Sequence, residues 1–394
     1  MKAKNNDKHA EQDLLQRGIE EIIDRENLEK KLASGKKLRI KLGIDPTSPN
    51  IHLGRSIPLL KLQDFQQAGH QIVFIIGDFT GIIGDTSDKE SERPMLSEEV
   101  IAENLKNYIA QASKIIDIDK AEIYHNSEWL GELRYQDIGR QADAFSLNEF
   151  SSRENIKKRL DEGKRVSLRE LLYPLMQGYD SVQVKADVEI GGTDQRFNLL
   201  AGRDLQRLYG QEPQDIITNP LIEGLDGRKM SSSFGNTVNL FDAPNDMFGK
   251  IMSLKDEFII KYFTLLTRVN LEAVADYEKQ LVNGANPRDI KLTLAKEIVK
   301  MYHSEKEAQE AEAYFIKTIS HKELPEEMSE FTPTKRDVVS ILVDSGLVKS
   351  KTEARRVLEQ GGVKINGETV SDSGLVVTPE SVLQKGKFSF LKVL

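Results

Sequence analysis

Residues 72 to 76 form an unbroken apolar run, and a strand without polar alternation has to be covered on both faces. Upstream, Leu38 to Ile44 alternates like a strand, and Ser56 to Ala68 carries helical spacing that Gly69-His70 ends. A strand, a helix and a doubly buried strand in succession predict a parallel sheet sandwiched between helices. Ile123-Tyr124-His125 and Asp187 to Ile190 add further strands, the second ending in Gly191-Gly192. Around them the pattern is helical. Leu14, Ile19, Ile22, Ile23 and Leu28 predict one amphipathic helix over 14–32, and Ser97-Glu98-Glu99-Val100 opens another that runs to about Ile116. Helices are expected to fill 132–178.

From Phe241 to about Lys322 the pattern is helical without strand signals, and Leu324 to Thr334, with two prolines, reads as a linker. A compact α+β unit follows. Lys335 to Ser345 predicts a helix ended by Gly346, and Ser350-Lys351-Thr352-Glu353 a capping box for the next helix. Gly361-Gly362 closes that helix, and residues 363–370 predict a hairpin around Asn366-Gly367.

Composition narrows the function. The chain has 394 residues, 30% of them charged, which suits two or three domains. Its zero cysteines exclude disulfides, thiolate metal sites and a cysteine nucleophile, and a reducing cytoplasm fits that count. No apolar stretch is long enough for a membrane, and Met1 to Gln12 lacks the apolar core of a signal peptide. The net charge is −8, yet Pro333 to Leu394 carries ten Lys/Arg against seven Asp/Glu. A basic end on an acidic body suggests a polyanion partner there.

Two short segments carry the chemistry. Pro46-Thr47-Ser48-Pro49-Asn50-Ile51-His52-Leu53-Gly54-Arg55 lies between a strand and a helix. The free N–H groups at a helix start suit phosphate, His52 and Thr47 can donate to it, and Gly54 leaves room for a flat base. An ordinary strand-to-helix turn with a surface histidine explains the same residues. Lys229-Met230-Ser231-Ser232-Ser233 follows a turn-rich lead-in, where a mobile lysine can balance charge on a leaving pyrophosphate; a polar surface loop is the alternative. Asp85 closes a strand-end segment and could hold an ammonium, while Lys89 and Arg93 read as phosphate donors or as solvated loop. Tyr173, Gln177 and Asp180 share one helix face and need partners if buried. Gly191-Gly192-Thr193-Asp194-Gln195 puts a carboxylate at a strand end, suited to a ribose diol. The dinucleotide fingerprint G-x-G-x-x-G is absent, so a nicotinamide or flavin enzyme has no support.

Together these segments resemble the class I tyrosyl-tRNA synthetases, in the bacterial branch that ends in an S-four-type RNA-binding module. The resemblance covers the chain beyond its first dozen residues. It implies a Rossmann-like catalytic domain over 1–235 with a helical insertion and dimer region at about 95–185. A helical anticodon-binding domain over 236–325 and an RNA-binding module over 335–394 would follow. It also implies activation of tyrosine by ATP with Mg2+ to tyrosyl-adenylate, then transfer to the terminal ribose of tyrosine tRNA, in a cytoplasmic homodimer with no tightly held metal.

Position by position, Tyr173, Gln177 and Asp85 would bind the amino group of tyrosine and Asp180 its phenolic hydroxyl. Asp194 and Gly192 would bind the ribose, and Gly54, Leu221 and Ile222 would flank the adenine. Thr47, His52 and Arg55 would meet the phosphates, with Lys229, Lys89 and Arg93 acting from mobile loops. Asp45 and Gln195 would complete the adenylate site, with Met230, Ser231 and Ser232 lining it. Lys349, Lys351, Arg355 and Arg356 would contact RNA.

Three positions depart from the family pattern. Arg55 stands where histidine is usual, Ser232 where a second lysine is common, and Lys41 where the better-known branch has a tyrosine that assists Asp180. The role of Lys41 stays open. A tryptophanyl enzyme shares the fold and both signatures, but Asp180 and the RNA module favour tyrosine. A non-catalytic RNA-binding relative is opposed by intact Thr47, His52, Asp194 and Lys229.

Overall fold

The computed structural model describes residues 14–86, 94–320, 328–348, 350–386 and 389–394. The chain divides into two compact units, Met1–Phe241 with Ile260–Asp276, and Asp242–Ile259 with Tyr277–Leu394.

The first unit is built on a six-stranded sheet: β1 (Glu21–Ile23), β2 (Arg39–Ile44), β3 (Gln71–Ile76), β4 (Glu122–His125), β5 (Val188–Gly192) and β6 (Asp215–Asn219). Their order is β1-β6-β5-β2-β3-β4, parallel throughout except for β1. The apolar run Ile72–Ile76 is the doubly covered strand its composition demands, with Ile72, Val73, Phe74 and Ile75 fully buried. Helix α1 (Leu53–Gln67) follows β2 and carries the first signature at its start. Helices α2 (Leu168–Val184) and α3 (Arg196–Leu208) pack against each other. Gly178 permits their approach, because a Cβ there would lie 3.0 Å from the Ala201 backbone.

Two helix expectations need correction. The stretch 14–32 is not one helix: Gly18 and Asp24 both adopt φ 68°, which no right-handed helix accommodates. Between them Glu21–Ile23 becomes β1, pairing Ile22 and Ile23 antiparallel with Ile217 and Ile216, and a helix starts only at Arg25. The helix opened by Ser97 stops at Leu105, and a second one begins at Tyr108 after Asn107 (φ −113°, ψ 4°) leaves helical geometry.

In the second unit, helices α4 (Pro244–Met252), α5 (Pro287–Tyr302) and α6 (Glu305–Phe315) pack together. A five-stranded sheet follows, ordered β7-β11-β10-β8-β9, from β7 (Ser329–Phe331), β8 (Val363–Ile365), β9 (Glu368–Thr369), β10 (Val382–Lys385) and β11 (Ser389–Val393). Helices α7 (Val338–Asp344) and α8 (Lys351–Glu359) share a buried core with it, among them Ile341, Leu342, Ala354, Leu358, Leu383 and Leu391. Asn366 (φ 51°) and Gly367 (φ 88°) turn the predicted hairpin. The expected linker is only partly one. Ser329–Phe331 pairs parallel with β11, so the sheet takes in chain ahead of residue 335.

Candidate active site

After β2 the chain lays β3 and β4 to one side and then crosses back to place β5 and β6 on the other. The carboxyl ends of β2 and β5 therefore flank the point where the winding reverses, the usual ligand crevice of such sheets. Asp45 follows β2, Asn126 follows β4, and Thr193 and Asp194 follow β5, so all are delivered to this edge by strand length alone.

On one side of the crevice a continuous hydrogen-bond network runs beneath helix α2. Asp180 is buried, and its two oxygens receive the Trp129 indole N–H at 2.8 Å and the Asn126 amide at 3.2 Å. Asn126 also donates to Thr80 Oγ1 at 2.9 Å, Thr80 donates to Asp45 Oδ1 at 2.7 Å, and Tyr173 donates its hydroxyl to Asp45 Oδ2 at 2.8 Å. Burial pushes Asp180 up to about 7 and Asp45 up to about 6, against the lowering effect of their donors. It also raises Tyr173 well above the usual phenol range. Gln195 donates to Asp85 Oδ2 at 2.7 Å.

Lys41 does not reach this network by any hydrogen bond. Its ammonium is buried under α2 and donates to Glu189 Oε1 (2.8 Å), Ser181 Oγ (2.8 Å) and the Gln177 carbonyl (2.9 Å).

On the other side the two signatures meet. His52 caps α1, its Nδ1 accepting from the Arg55 N–H at 3.4 Å, which leaves Nε2 to carry the proton. Burial, together with the Arg55 and Lys229 cations, lowers His52 to about 3, so it is neutral. A Cβ on Gly54 would lie 3.1 Å from the His52 ring and 3.4 Å from Ile222, and one on Gly192 would lie 3.4 Å from Leu221. Both glycines are thus packed close to their neighbours, Gly54 against His52 and Ile222 and Gly192 against Asp194 and Leu221, with no room for a side chain. Arg55 ties the loop together, donating to Thr47 Oγ1 (2.9 Å), Tyr108 Oη (2.6 Å) and the Asp45 carbonyl (3.2 Å).

Lys229 forms an ion pair with Asp194 at 2.9 Å, and Met230 Sδ accepts from the Gly54 N–H at 3.2 Å. Ser232 Oγ lies 3.3 Å from Ser48 Oγ, so the two signature loops touch at this serine. Ser231 is held through its N–H to Asn236 Oδ1 (2.9 Å), while Asn236 Nδ2 reaches Asp226 (2.7 Å) and the Lys229 carbonyl (3.1 Å). Asn236 is the hub of this loop.

Lys351, Arg355 and Arg356 lie exposed on α8, whose Ala354 and Leu358 face its core. Lys89, Arg93 and Lys349 lie outside the described residues. Thr80, Glu189 and Asn236 carry no sequence signal that singles them out. Asn126 was findable, since it follows a strand as Asp45 does, and Trp129 is the chain's one tryptophan. Among the described residues no cluster of His, Asp or Glu could hold a metal ion, and no helix is long and apolar enough to cross a membrane.

Residues 33–320 match the family of class I tRNA synthetases (W and Y), and residues 316–392 match a tyrosine–tRNA ligase SYY-like C-terminal domain. The chain is 45% identical over 382 residues to a tyrosine–tRNA ligase of Mannheimia succiniciproducens, covering 96% of this chain and 97% of that protein. It is 44% identical over 385 residues to one of Thermotoga maritima, covering 96% of each. The chain belongs to the tyrosyl-tRNA synthetases of class I. In fold it is similar to a tyrosyl-tRNA synthetase of Archaeoglobus fulgidus solved with L-tyrosine, with a TM-score of 0.61 and 24% identity over 76% of this chain and 98% of that one. The synthetase is therefore an aminoacyl-tRNA synthetase whose substrates are tyrosine, ATP and tRNA, and the tryptophanyl alternative is not favoured.

Proposed function

We propose that the network beneath α2 is the tyrosine pocket and that the two signature loops close over ATP beside it. The observation that carries this reading is Asp180: a buried carboxylate whose two oxygens already receive Trp129 and Asn126 and retain further lone pairs. A phenolic O–H is the complementary donor, and an unsubstituted ring would leave the carboxylate short of a partner. Tyrosyl-tRNA synthetases are the standing example of such discrimination, at roughly 10⁵ against phenylalanine, a general figure for the enzyme type and not a measurement on this chain. Tyr173, Gln177 and Asp85 then take the ammonium. Thr47 and neutral His52, through Nε2–H, donate to the phosphates, while Asp194 takes the ribose. Asp45 and Gln195 complete the adenylate site, held in place by their partners Thr80 and Asp85.

The tyrosine carboxylate attacks the α-phosphate, pyrophosphate leaves, and the tRNA ribose hydroxyl then takes the tyrosyl group. The nucleophile is already charged, so alignment and charge stabilisation suffice, and no side chain needs to form a covalent bond. Lys229 supplies the cation for the leaving group once it parts from Asp194. Mg2+ enters with the ATP phosphates. Arg55 acts through Thr47 and Asp45 by holding the loop that presents them. The test is tyrosine-dependent ATP–pyrophosphate exchange: Asp180→Ala should abolish the preference over phenylalanine, and a preference left intact would sink the assignment.

The region 236–325 is read as anticodon-binding and the C-terminal module as RNA-binding through Lys349, Lys351, Arg355 and Arg356, which supply phosphate contacts. Because β7 belongs to the module's sheet, the informative truncation removes residues 328–394 rather than 335–394. It should spare adenylate formation and impair tRNA charging; equal loss of both would contradict separate roles. The exposed Tyr135, Leu147 and Leu168 support a homodimer through the insertion, which sedimentation of a Leu147→Glu/Leu168→Glu variant as monomer would test.

A further inference from the structure

Lys41 and Glu189 are direct neighbours in the parallel pairing of β2 with β5, so a cation and a carboxylate sit side by side at the point where the winding reverses. Both are buried, and the ion pair is closed by hydrogen bonds. The three Lys41 protons go to Glu189, Ser181 Oγ and the Gln177 carbonyl. Glu189 Oε2 receives the Ser181 hydroxyl at 3.0 Å and the Gln214 amide. Its Oε1 receives Lys41 and, at 3.2 Å, the side-chain amide of Gln177.

That last contact has a chemical direction. A carboxylate paired with an ammonium only accepts hydrogen bonds, so the end of the Gln177 amide that faces it must be the NH2. The planar amide then turns Oε1 the other way, and no donor among the described residues meets that oxygen. Reversing the amide would set two acceptors against each other and aim the NH2 dipole outward. An ammonium ligand carries only donors, so it binds the first orientation and is repelled by the second.

We propose that the Lys41–Glu189 pair is a positioning device that locks the Gln177 amide with its carbonyl oxygen toward the amino group of the substrate. The proposal rests on the reading above that Gln177 meets that amino group. It also gives Lys41 a task other than the hydroxyl recognition of its tyrosine counterpart: the pair governs recognition of the α-ammonium, at the opposite end of the substrate from the phenol.

The test compares the KM for tyrosine with the inhibition constant of desamino-tyrosine, the same acid without the amino group, in ATP–pyrophosphate exchange. In Glu189→Gln the neighbour of Gln177 can both donate and accept, so the amide is free to turn. The KM for tyrosine should rise about tenfold, the loss of one hydrogen bond to a charged group. At the same time kcat should change little and the inhibition constant should hold. Lys41→Met/Glu189→Gln, which leaves no buried charge behind, should behave alike and guards against a variant that fails to fold. A parallel rise for tyrosine and its desamino analogue in both variants, or no rise, overturns the proposal. Gln177→Ala separates the two readings. If it leaves the ratio of the two constants at the parent value, the ammonium role of Gln177 falls. If it shifts the ratio and Glu189→Gln does not, only the positioning role falls.

Discussion

Trp129→Phe isolates one hydrogen bond in the pocket. The substitution keeps an aromatic ring near Tyr124, whose centroid lies 5.9 Å from the indole, and removes the N–H that reaches Asp180 at 2.8 Å together with the rest of the five-membered ring. A hydrogen bond to a charged group contributes about 1.5–3 kcal/mol to the charged form, which is roughly one to two pKa steps. Asp180 already stands at about 7 because it is buried. The variant should therefore titrate near 8 to 9. At pH 7.5 roughly three quarters of the parent carboxyls are ionised, against roughly a tenth in the variant. If the ionised form accepts the phenolic hydroxyl, kcat/KM for tyrosine should drop about tenfold at pH 7.5 and recover toward pH 9.5, because kcat/KM reports groups of the free enzyme. The assay is pyrophosphate exchange across pH 6 to 10. Taking the ratio of variant to parent at each pH cancels the titration of tyrosine itself. A loss of the same size at every pH would mean that the indole acts by packing, and the charge argument would be wrong.

Other outcomes follow from the same geometry. Ser232→Lys places a second cation beside Ser48 and should speed adenylate formation several-fold in single-turnover kinetics, with tyrosine affinity unchanged; a slower step would show that the serine contact at 3.3 Å matters more than charge. Asn236→Ala removes the anchors of Ser231 and the Lys229 carbonyl and should lower the rate of that step at least tenfold while leaving the KM for tyrosine alone; an equal effect on both would point to general unfolding. Asp180 is raised in the folded state, so its contribution to stability is fully present below the unfolded carboxylate value near 4 and is lost as pH rises through about 7. The urea midpoint of unliganded enzyme, measured relative to Asp180→Asn, should fall between pH 5 and 8.5, and a rise would refute the burial argument.

Much of the sheet was legible because burial on both faces leaves an apolar run, as at Ile72–Ile76. β6 lacks such a run because Asp215, Thr218 and Asn219 interrupt it; Asp215 pairs with Lys31 at 3.1 Å and accepts a hydrogen bond from Asn27, partners far away in sequence. The expected helix over 14–32 failed at Asp24, a residue whose side chain gives no sign that its backbone turns left-handed. In the candidate site, the residues proposed to meet ligand stand out through the signatures. Those that hold them, Thr80, Asn126, Trp129, Glu189 and Asn236, act across long stretches of chain and carry no local pattern. Lys41 was visible as a departure, yet only its neighbour on β5 explains it.

That neighbour also bears on how such enzymes can diverge. Removing one member of a buried ion pair costs about 3–5 kcal/mol, a large share of the roughly 5–15 kcal/mol that holds a domain together. Positions 41 and 189 lie on different strands and far apart in the gene, so a chain with tyrosine at position 41 is two coupled substitutions away, and each intermediate strands a charge in the sheet. A library that varies position 41 should therefore return stable variants chiefly where position 189 changes with it.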